Sequence, residues 1–417
     1  SAFAEFLARE TGDPYSAWYT SIDKRYEMDD EMRLYRMVRS ESKKPIAALP
    51  ADEPKAVWFR DTGEMIANSS MKDYRNNLCL SFHSSPFGSG SHTHSAQNAF
   101  NLHYRGAPVY GSTGYYMNFS DAHNLLSYRH TRAHNTLLID GIGQPFTTRA
   151  YGNIVRAFSG EHISYALGDA SNAYCGISEY PMWVTNFAKQ HLEQSVENGF
   201  GETPLTLYRR HIFLLHPDKI VIYDEMEAKK PVRWDWLLHS PVKFSIDEQT
   251  CKLVTRNEEK QFTSVAQLFS RQDCKITQTD RFVVPPNREN AVRGEVFTNS
   301  WHLTASFTPG KRNRILTIIQ VQPDGKQAVG IQRDGNLFQC GDWTIEAELD
   351  VKKPASLYIT NKTNQAVFGY GKSSLLINDK PYRPVDKTAS LLFDKIDGSW
   401  QMQERMDRKP QLTGSNR

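Results

Sequence analysis

The chain has 417 residues, enough for two or three domains with substantial cores. Its 50 basic and 47 acidic residues are interspersed and leave a formal charge of only +3. That balance excludes the basic stripe of a nucleic-acid binder and the polybasic run of a membrane-surface protein, and no apolar stretch is long enough to span a bilayer.

The first forty or so residues read as helical. Phe3, Phe6 and Leu7 recur at helix spacing until Thr11-Gly12-Asp13-Pro14 stops the run. No signal peptide is visible, because Ser1-Ala2-Phe3-Ala4 reads as the middle of a helix. A second short helix carries Tyr15, Trp18 and Tyr19. A third is expected from Asp29-Asp30 to about Ser40, with acids at its start and basic residues at its end, as the helix dipole prefers. Three such helices are too short to close a domain alone. Residues 46–54, ending a stretch rich in Lys, Pro and Ala, read as a linker.

From Lys55 the apolar period changes to two. Strands are expected at Val57–Phe59, Leu78–Phe82, Phe100–Tyr104, Thr136–Ile139, Arg210–Leu215, Lys219–Tyr223, Val232–His239, Trp301–Phe307 and Ile315–Val321. Asp-Gly turns at Asp324, Asp334 and Asp397 punctuate the remainder. Short strands with turn residues between them predict a mainly β protein of antiparallel sheets packed face to face. No glycine-rich loop precedes a helix, which excludes phosphate-cradle and dinucleotide folds. The expected divisions are a β domain over 55–310, a further sheet domain over 311–400 and a polar tail over 401–417. Five scattered cysteines (Cys79, Cys175, Cys251, Cys274, Cys340) lack CxxC spacing and argue against a disulfide framework or a cysteine zinc site. Aromatic residues make up 12%, which suits either a strand-rich core or a carbohydrate groove.

The densest chemical signal is histidine. Seven of 13 histidines fall between His83 and His134. Gly88-Ser89-Gly90-Ser91-His92-Thr93-His94 stands at the centre of this cluster. In extended backbone His92 and His94 would project side by side, and the glycines would let the backbone approach a ligand. Polar loop residues satisfied by hydrogen bonds are the plainer reading. The nearby Tyr128-Arg129-His130-Thr131-Arg132 and Ala133-His134-Asn135-Thr136 runs favour a chemical site, since histidine moves protons and binds metals near neutral pH.

Five motifs in order resemble the heparinase II/III-like polysaccharide lyases. They are Val57–Gly63, Gly88–His94, Asn98–Pro108, Gly114–Tyr116 and Ala133–Gly141, and Arg210–Asp224 matches a later strand pair. The likeness is good over residues 1–240 and continues beyond only as a strand pattern. It implies an antiparallel β-supersandwich preceded by helices, residues 1–45, that would be the last turns of an α/α toroid. This chain would be a C-terminal portion, with an N-terminal toroid portion of the same protein as partner and the active site between them. The implied activity is β-elimination on an acidic, uronate-containing polysaccharide, in a periplasmic or secreted setting.

By the same resemblance His92 matches the catalytic histidine of the β domain, for proton transfer or carboxylate stabilisation. His94 and His134 match two ligands of a divalent metal, commonly zinc. The third family ligand is an aspartate in a Val-Asp-Pro-Gly turn, where this chain reads Val109-Tyr110-Gly111-Ser112-Thr113-Gly114, without a carboxylate. Asp121 or His123 are the nearby substitutes. Tyr115 and Tyr116 are further catalytic or stacking candidates, and Arg105, Arg129, Arg132 and His239 are candidates for substrate binding. His103 reads as a sheet histidine. The alternative is a non-catalytic carbohydrate-binding β-sandwich with a structural metal. A hydrolase would need a carboxylate pair that this cluster lacks.

Overall fold

A computed structural model of the chain describes residues 2–22, 34, 35, 37, 38, 48, 49, 53–287, 297–363, 365–377, 380–384 and 386–408. It divides into two compact units, Ser1–Pro54 with Ser70–Tyr74, and Lys55–Ser69 with Arg75–Arg417. In the first unit, helices Ala2–Thr11 and Pro14–Ile22 are separated by Gly12, whose φ of 71° ends the first helix. Asp13 Oδ2 accepts from the Ser16 N–H at 2.8 Å and starts the second helix with Pro14 in its first turn. The helix expected over 29–40 is described only at Leu34, Tyr35, Met37 and Val38, which are helical. Its other residues, and most of the 46–54 linker, lie outside the described residues. Among the described residues no helix is long and apolar enough to cross a membrane.

The second unit is an antiparallel supersandwich of three layers. Its middle layer is an eight-stranded sheet in the order Ser245–Asp247, Lys252–Asn257, Phe262–Phe269, Gly310–Pro323, Lys219–Val232, Leu205–Leu215, Ile163–Asp169, Asn153–Ser159. Successive side chains in a strand point to opposite faces, so a strand buried on both faces must be apolar without alternation. This is the reason for runs such as Ile212-Phe213-Leu214-Leu215 and Ile220-Val221-Ile222-Tyr223. Ile212, Leu214, Ile220 and Ile222 point into one core. Phe213, Leu215, Val221 and Tyr223 point into the other.

The first core is closed by a five-stranded sheet (Ala56–Phe59 to Ala107–Tyr110) and a four-stranded sheet ordered Cys274–Thr279, Trp301–Phe307, Trp234–Ser240, Leu137–Ile139. The second core is closed by a seven-stranded sheet from Ile331–Asp334 to Ser399–Arg405.

Two expected boundaries shift. The division at 311 falls inside the Gly310–Pro323 strand, which pairs with strands on both sides in the middle layer. The polar tail begins later than 401, because Ser399–Arg405 pairs along its length with Ser390–Ile396. Beyond that strand, Asp407 is anchored by Arg156 and Arg209, both at 2.7 Å. The strands Asn153–Ser159, Ile163–Asp169, Lys252–Asn257, Phe262–Phe269 and Cys274–Thr279, and the helix Pro181–Lys189, are additions to the sequence expectation.

Candidate active site

Two long loops carry the histidines. One joins Leu78–His83 to Ala99–Tyr104, and the other joins Ala107–Tyr110 to Leu137–Ile139. The first loop is not a strand at His92–His94, so the two side chains do not project as an extended pair. Gly88, at φ 61°, sits so close to the 147–148 backbone that an added Cβ would lie 2.5 Å from the Thr147 carbonyl oxygen. The loop is therefore pressed against that backbone, with the Ser89 N–H donating to the Thr147 carbonyl at 3.0 Å.

His92 is exposed. Its ring lies 5.0 Å from Phe119 and 6.4 Å from Tyr116, which is itself 53% exposed. Beneath this face lies Arg129, 1% exposed. Its Nη1 donates to the carbonyls on either side of His92, Ser91 at 2.6 Å and Thr93 at closer range. The guanidinium stacks on Phe119 (5.0 Å) and on Trp183 (4.7 Å). Trp183 comes from the Pro181–Lys189 helix and belongs to a satellite core with Leu125, Phe146 and Phe200. Burial lowers the Arg129 pKa to about 10, with Tyr116 and Tyr128 acting the other way. Among the described residues no carboxylate pairs with it.

His94 turns the other way. Its Nδ1 lies 3.2 Å from His134 Nε2, and its ring meets Tyr128 edge-on at 4.5 Å. His134 is buried, with Nδ1 2.9 Å from Ser112 Oγ. Asn101 Oδ1 accepts from the Ser112 N–H at 3.0 Å and lies 3.4 Å from its hydroxyl. A consistent sense of donation runs from His94 Nδ1–H to His134, from His134 Nδ1–H to Ser112, and from the serine hydroxyl to Asn101. It leaves His94 Nε2 with a lone pair. Burial, reinforced by the Arg129 and His83 charges, lowers His94 to about 4. Burial and then the His94 charge hold His134 well below the ordinary imidazole range. Both rings are neutral at pH 7.

The residues do not fit a zinc ion. Ser112 and His94 sit on opposite ring nitrogens of His134, so the three donors do not converge on one point. Among the described residues no three His, Cys, Asp or Glu side chains gather as a metal set, whereas zinc takes three or four nitrogen, sulfur or carboxylate ligands. The two suggested substitutes are engaged elsewhere. Asp121 accepts from the Asn124 N–H at 2.6 Å, and His123 accepts from the Tyr115 N–H at 3.1 Å and donates to the Val284 carbonyl at 2.6 Å.

Other expected contacts are redirected. Arg129 and Arg132, expected to clamp substrate carboxylates, donate to backbone carbonyls, Arg132 to Asn198 at 2.5 Å while its Nε donates to His130 Nδ1. His239 is buried, its Nε2 2.8 Å from the Arg132 carbonyl. Arg105 lies at the turn after Ala99–Tyr104 and bonds to Asn76 and the Lys260 and Gln261 carbonyls, which keeps it apart from the histidine group. Tyr115 spends its hydroxyl on Thr298, 2.6 Å from the carbonyl oxygen, so of the two tyrosines only Tyr116 faces His92. The first-rank histidines and Tyr116 do come together.

Three positioning residues lie within the sequence motifs without being candidates there. Tyr128 bridges the two histidine groups, touching His94 and lying 6.4 Å from Tyr116. Asn135 accepts from the His239 backbone N–H at 2.8 Å and donates to the Phe100 carbonyl at 2.9 Å. Arg210, fully buried, pairs bidentately with Asp224 at 2.7 and 2.9 Å and donates to the Asn98 and Asn135 carbonyls, both at 2.8 Å. Arg210 and Asp224 are register partners on adjacent strands, and the signal was an acid and a base at matching places in two apolar runs.

Residues 51–329 match the family described as heparinase II/III-like, C-terminal, and the chain belongs to that family. Among solved structures it is similar to a heparinase III described as the BT4657 gene product, at 12% identity and a TM-score of 0.56, over 88% of this chain and 47% of that one. It is similar also to the heparan sulfate lyase HepC of Pedobacter heparinus, at 13% identity and a TM-score of 0.53, over 81% and 47%. These likenesses show the fold, and this chain spans about half the length of those proteins. No curated protein matches the sequence.

Proposed function

We propose that this chain is the β-rich part of a polysaccharide lyase that cleaves an acidic, uronate-containing glycan by β-elimination. The observation that carries the reading is the face of exposed His92 and Tyr116 with half-buried Phe119, held from below by a buried arginine that, among the described residues, no carboxylate neutralises. A uronate C5 proton is acidic only once its carboxylate charge is drawn off. His92 donates to that carboxylate and stabilises the enolate-like charge as the proton leaves, and Tyr116 packs on the sugar. The neutral His94–His134–Ser112 chain lies behind and fixes the second loop. An α/α toroid is proposed as the facing wall and the source of the base, and the periplasm or cell exterior as the setting, where such polymers are met.

The test incubates the full-length protein with heparan-type, alginate-type and glucuronate-capped plant glycans and follows the ultraviolet absorbance of the unsaturated product. Absorbance should rise with at least one polymer, and His92→Ala should lower turnover by about 10²-fold or more while the melting temperature holds. No absorbance with any of them overturns the lyase reading, and binding without product would establish a non-catalytic carbohydrate-binding sandwich. Near-normal turnover in His92→Ala removes that residue from the mechanism.

A further inference from the structure

Two cysteines remote in sequence meet where two sheets adjoin. Cys251 ends the turn between Ser245–Asp247 and Lys252–Asn257, at one edge of the eight-stranded sheet. Cys274 opens Cys274–Thr279, the edge strand of the four-stranded sheet. Both are half-buried against the main core, and their Sγ atoms lie 3.4 Å apart. The backbone fixes each end. The Cys251 carbonyl accepts from the Leu268 N–H at 3.1 Å, and Cys274 sits in register opposite Phe307. Asp247 ties the turn by accepting from the Gln249 N–H at 3.0 Å and the Thr250 hydroxyl at 2.7 Å. Cys251 also holds a φ of 50°, in the left-handed region where glycine or asparagine costs least. Turn geometry therefore gives no reason for a cysteine there, whereas the facing thiol does.

We propose that Cys251 and Cys274 are a redox pair that closes to a disulfide, stapling the edge of the eight-stranded sheet to the edge of the four-stranded sheet. The oxidant is an external disulfide, R–S–S–R, of a small thiol or of an oxidoreductase protein. The Cys251 thiolate attacks one of its sulfurs and expels RS⁻. The Cys274 thiolate then attacks the Cys251–S–S–R bond and expels the second RS⁻. The two cysteine protons end on the released thiols, so two cysteines and one R–S–S–R give one protein disulfide and two RSH. The hydrogen bond from the Cys274 thiol lowers the Cys251 pKa, against burial and the Asp247 and Glu248 charges, and this makes Cys251 the entry point. The sulfurs need to close only from 3.4 Å to about 2.0 Å. The stapled sheet also contains the strand of His239 and the Leu137–Ile139 strand that leaves the His134 loop. The proposal stands apart from the lyase reading.

The experiment equilibrates the full chain in graded mixtures of oxidised and reduced glutathione, then unfolds it in an alkylating reagent and maps the peptides by mass. The expected result is three alkylated cysteines, Cys79, Cys175 and Cys340, and one cross-linked pair, Cys251 with Cys274. The oxidised chain should melt several degrees above the reduced one, and Cys251→Ser or Cys274→Ser should abolish the difference. Five alkylations in the most oxidising mixture, glutathione retained on Cys251 as the sole product, or a cross-link of different pairing would each overturn the proposal. The mass readout on the unsubstituted chain decides the matter whether or not the serine variants fold.

Discussion

Arg210→Met removes a cation around which the molecule has arranged four acceptors. Burial pulls the guanidinium pKa down, and Asp224 more than offsets it. The substitution strands the fully buried Asp224, left among the described residues with Trp236 Nε1 at 3.1 Å as its one charge-stabilising donor, and orphans the Asn98 and Asn135 carbonyls. Breaking a buried pair costs about 3–5 kcal/mol, and two carbonyls without donors push this case to the upper end, about 5 kcal/mol. In the double variant Arg210→Met/Asp224→Leu the uncompensated charge is gone, so about 2–3 kcal/mol should return, while the carbonyl loss persists. Urea unfolding of the four proteins, compared at a common slope, measures the coupling. A single variant within about 1 kcal/mol of the parent, or a double variant whose loss is the sum of the two singles, would refute the assignment of Arg210 as the tie between loops and sheet.

Acid should unfold the protein through its neutral histidines. Burial, then the His302 charge, depresses His239 from 6.5 to about 3, so its contribution is complete above pH 6.5 and is lost as pH falls towards 3. At pH 5 that one residue accounts for about 2 kcal/mol, and His239→Gln should flatten the fall in unfolding free energy between pH 6.5 and 5. An unchanged slope would count against it. Zinc addition or chelation should leave the melting temperature of the full chain where it was, and stoichiometric zinc in the purified protein would contradict the divergent donor geometry around His134. Tyr115→Phe should cost about 1 kcal/mol of stability through its lost bond to Thr298 and spare catalysis. Tyr116→Ala should do the reverse, raising KM at constant melting temperature, and an unaltered KM would remove Tyr116 from the sugar-binding face.

The parts of the fold that show in the sequence are those where local pattern and tertiary role coincide. Runs such as Arg210–Leu215 and Lys219–Tyr223 announce strands because both their faces are buried, and the structure lengthens them to Leu205–Leu215 and Lys219–Val232. Asn153–Ser159 and Lys252–Asn257 mix charge with apolar residues, so their period is carried by the neighbouring strands more than by themselves. In the site, motif order brings His92, His94, His134 and Tyr116 to attention. It cannot say which way a side chain turns, and that is decided by burial. Arg129 and Arg132 look like carboxylate clamps in sequence, yet irregular loops expose carbonyls that need donors, and a buried guanidinium fills several at once.

That use of arginine bears on the substrate. A carbonyl satisfies a guanidinium N–H without cancelling its charge, so Arg129 leaves a positive field directly under the His92 face. The field is little attenuated there, because Phe119, Phe146 and Trp183 enclose the guanidinium and water does not. Preference for an acidic glycan, as proposed, then needs no densely basic groove and is compatible with a net charge of only +3. One buried cation that pairs with no carboxylate among the described residues acts at short range, where screening by salt is weakest. The KM for a uronate polymer should accordingly rise only modestly with salt, and a steep rise would mean that surface lysines and arginines, not Arg129, gather the substrate.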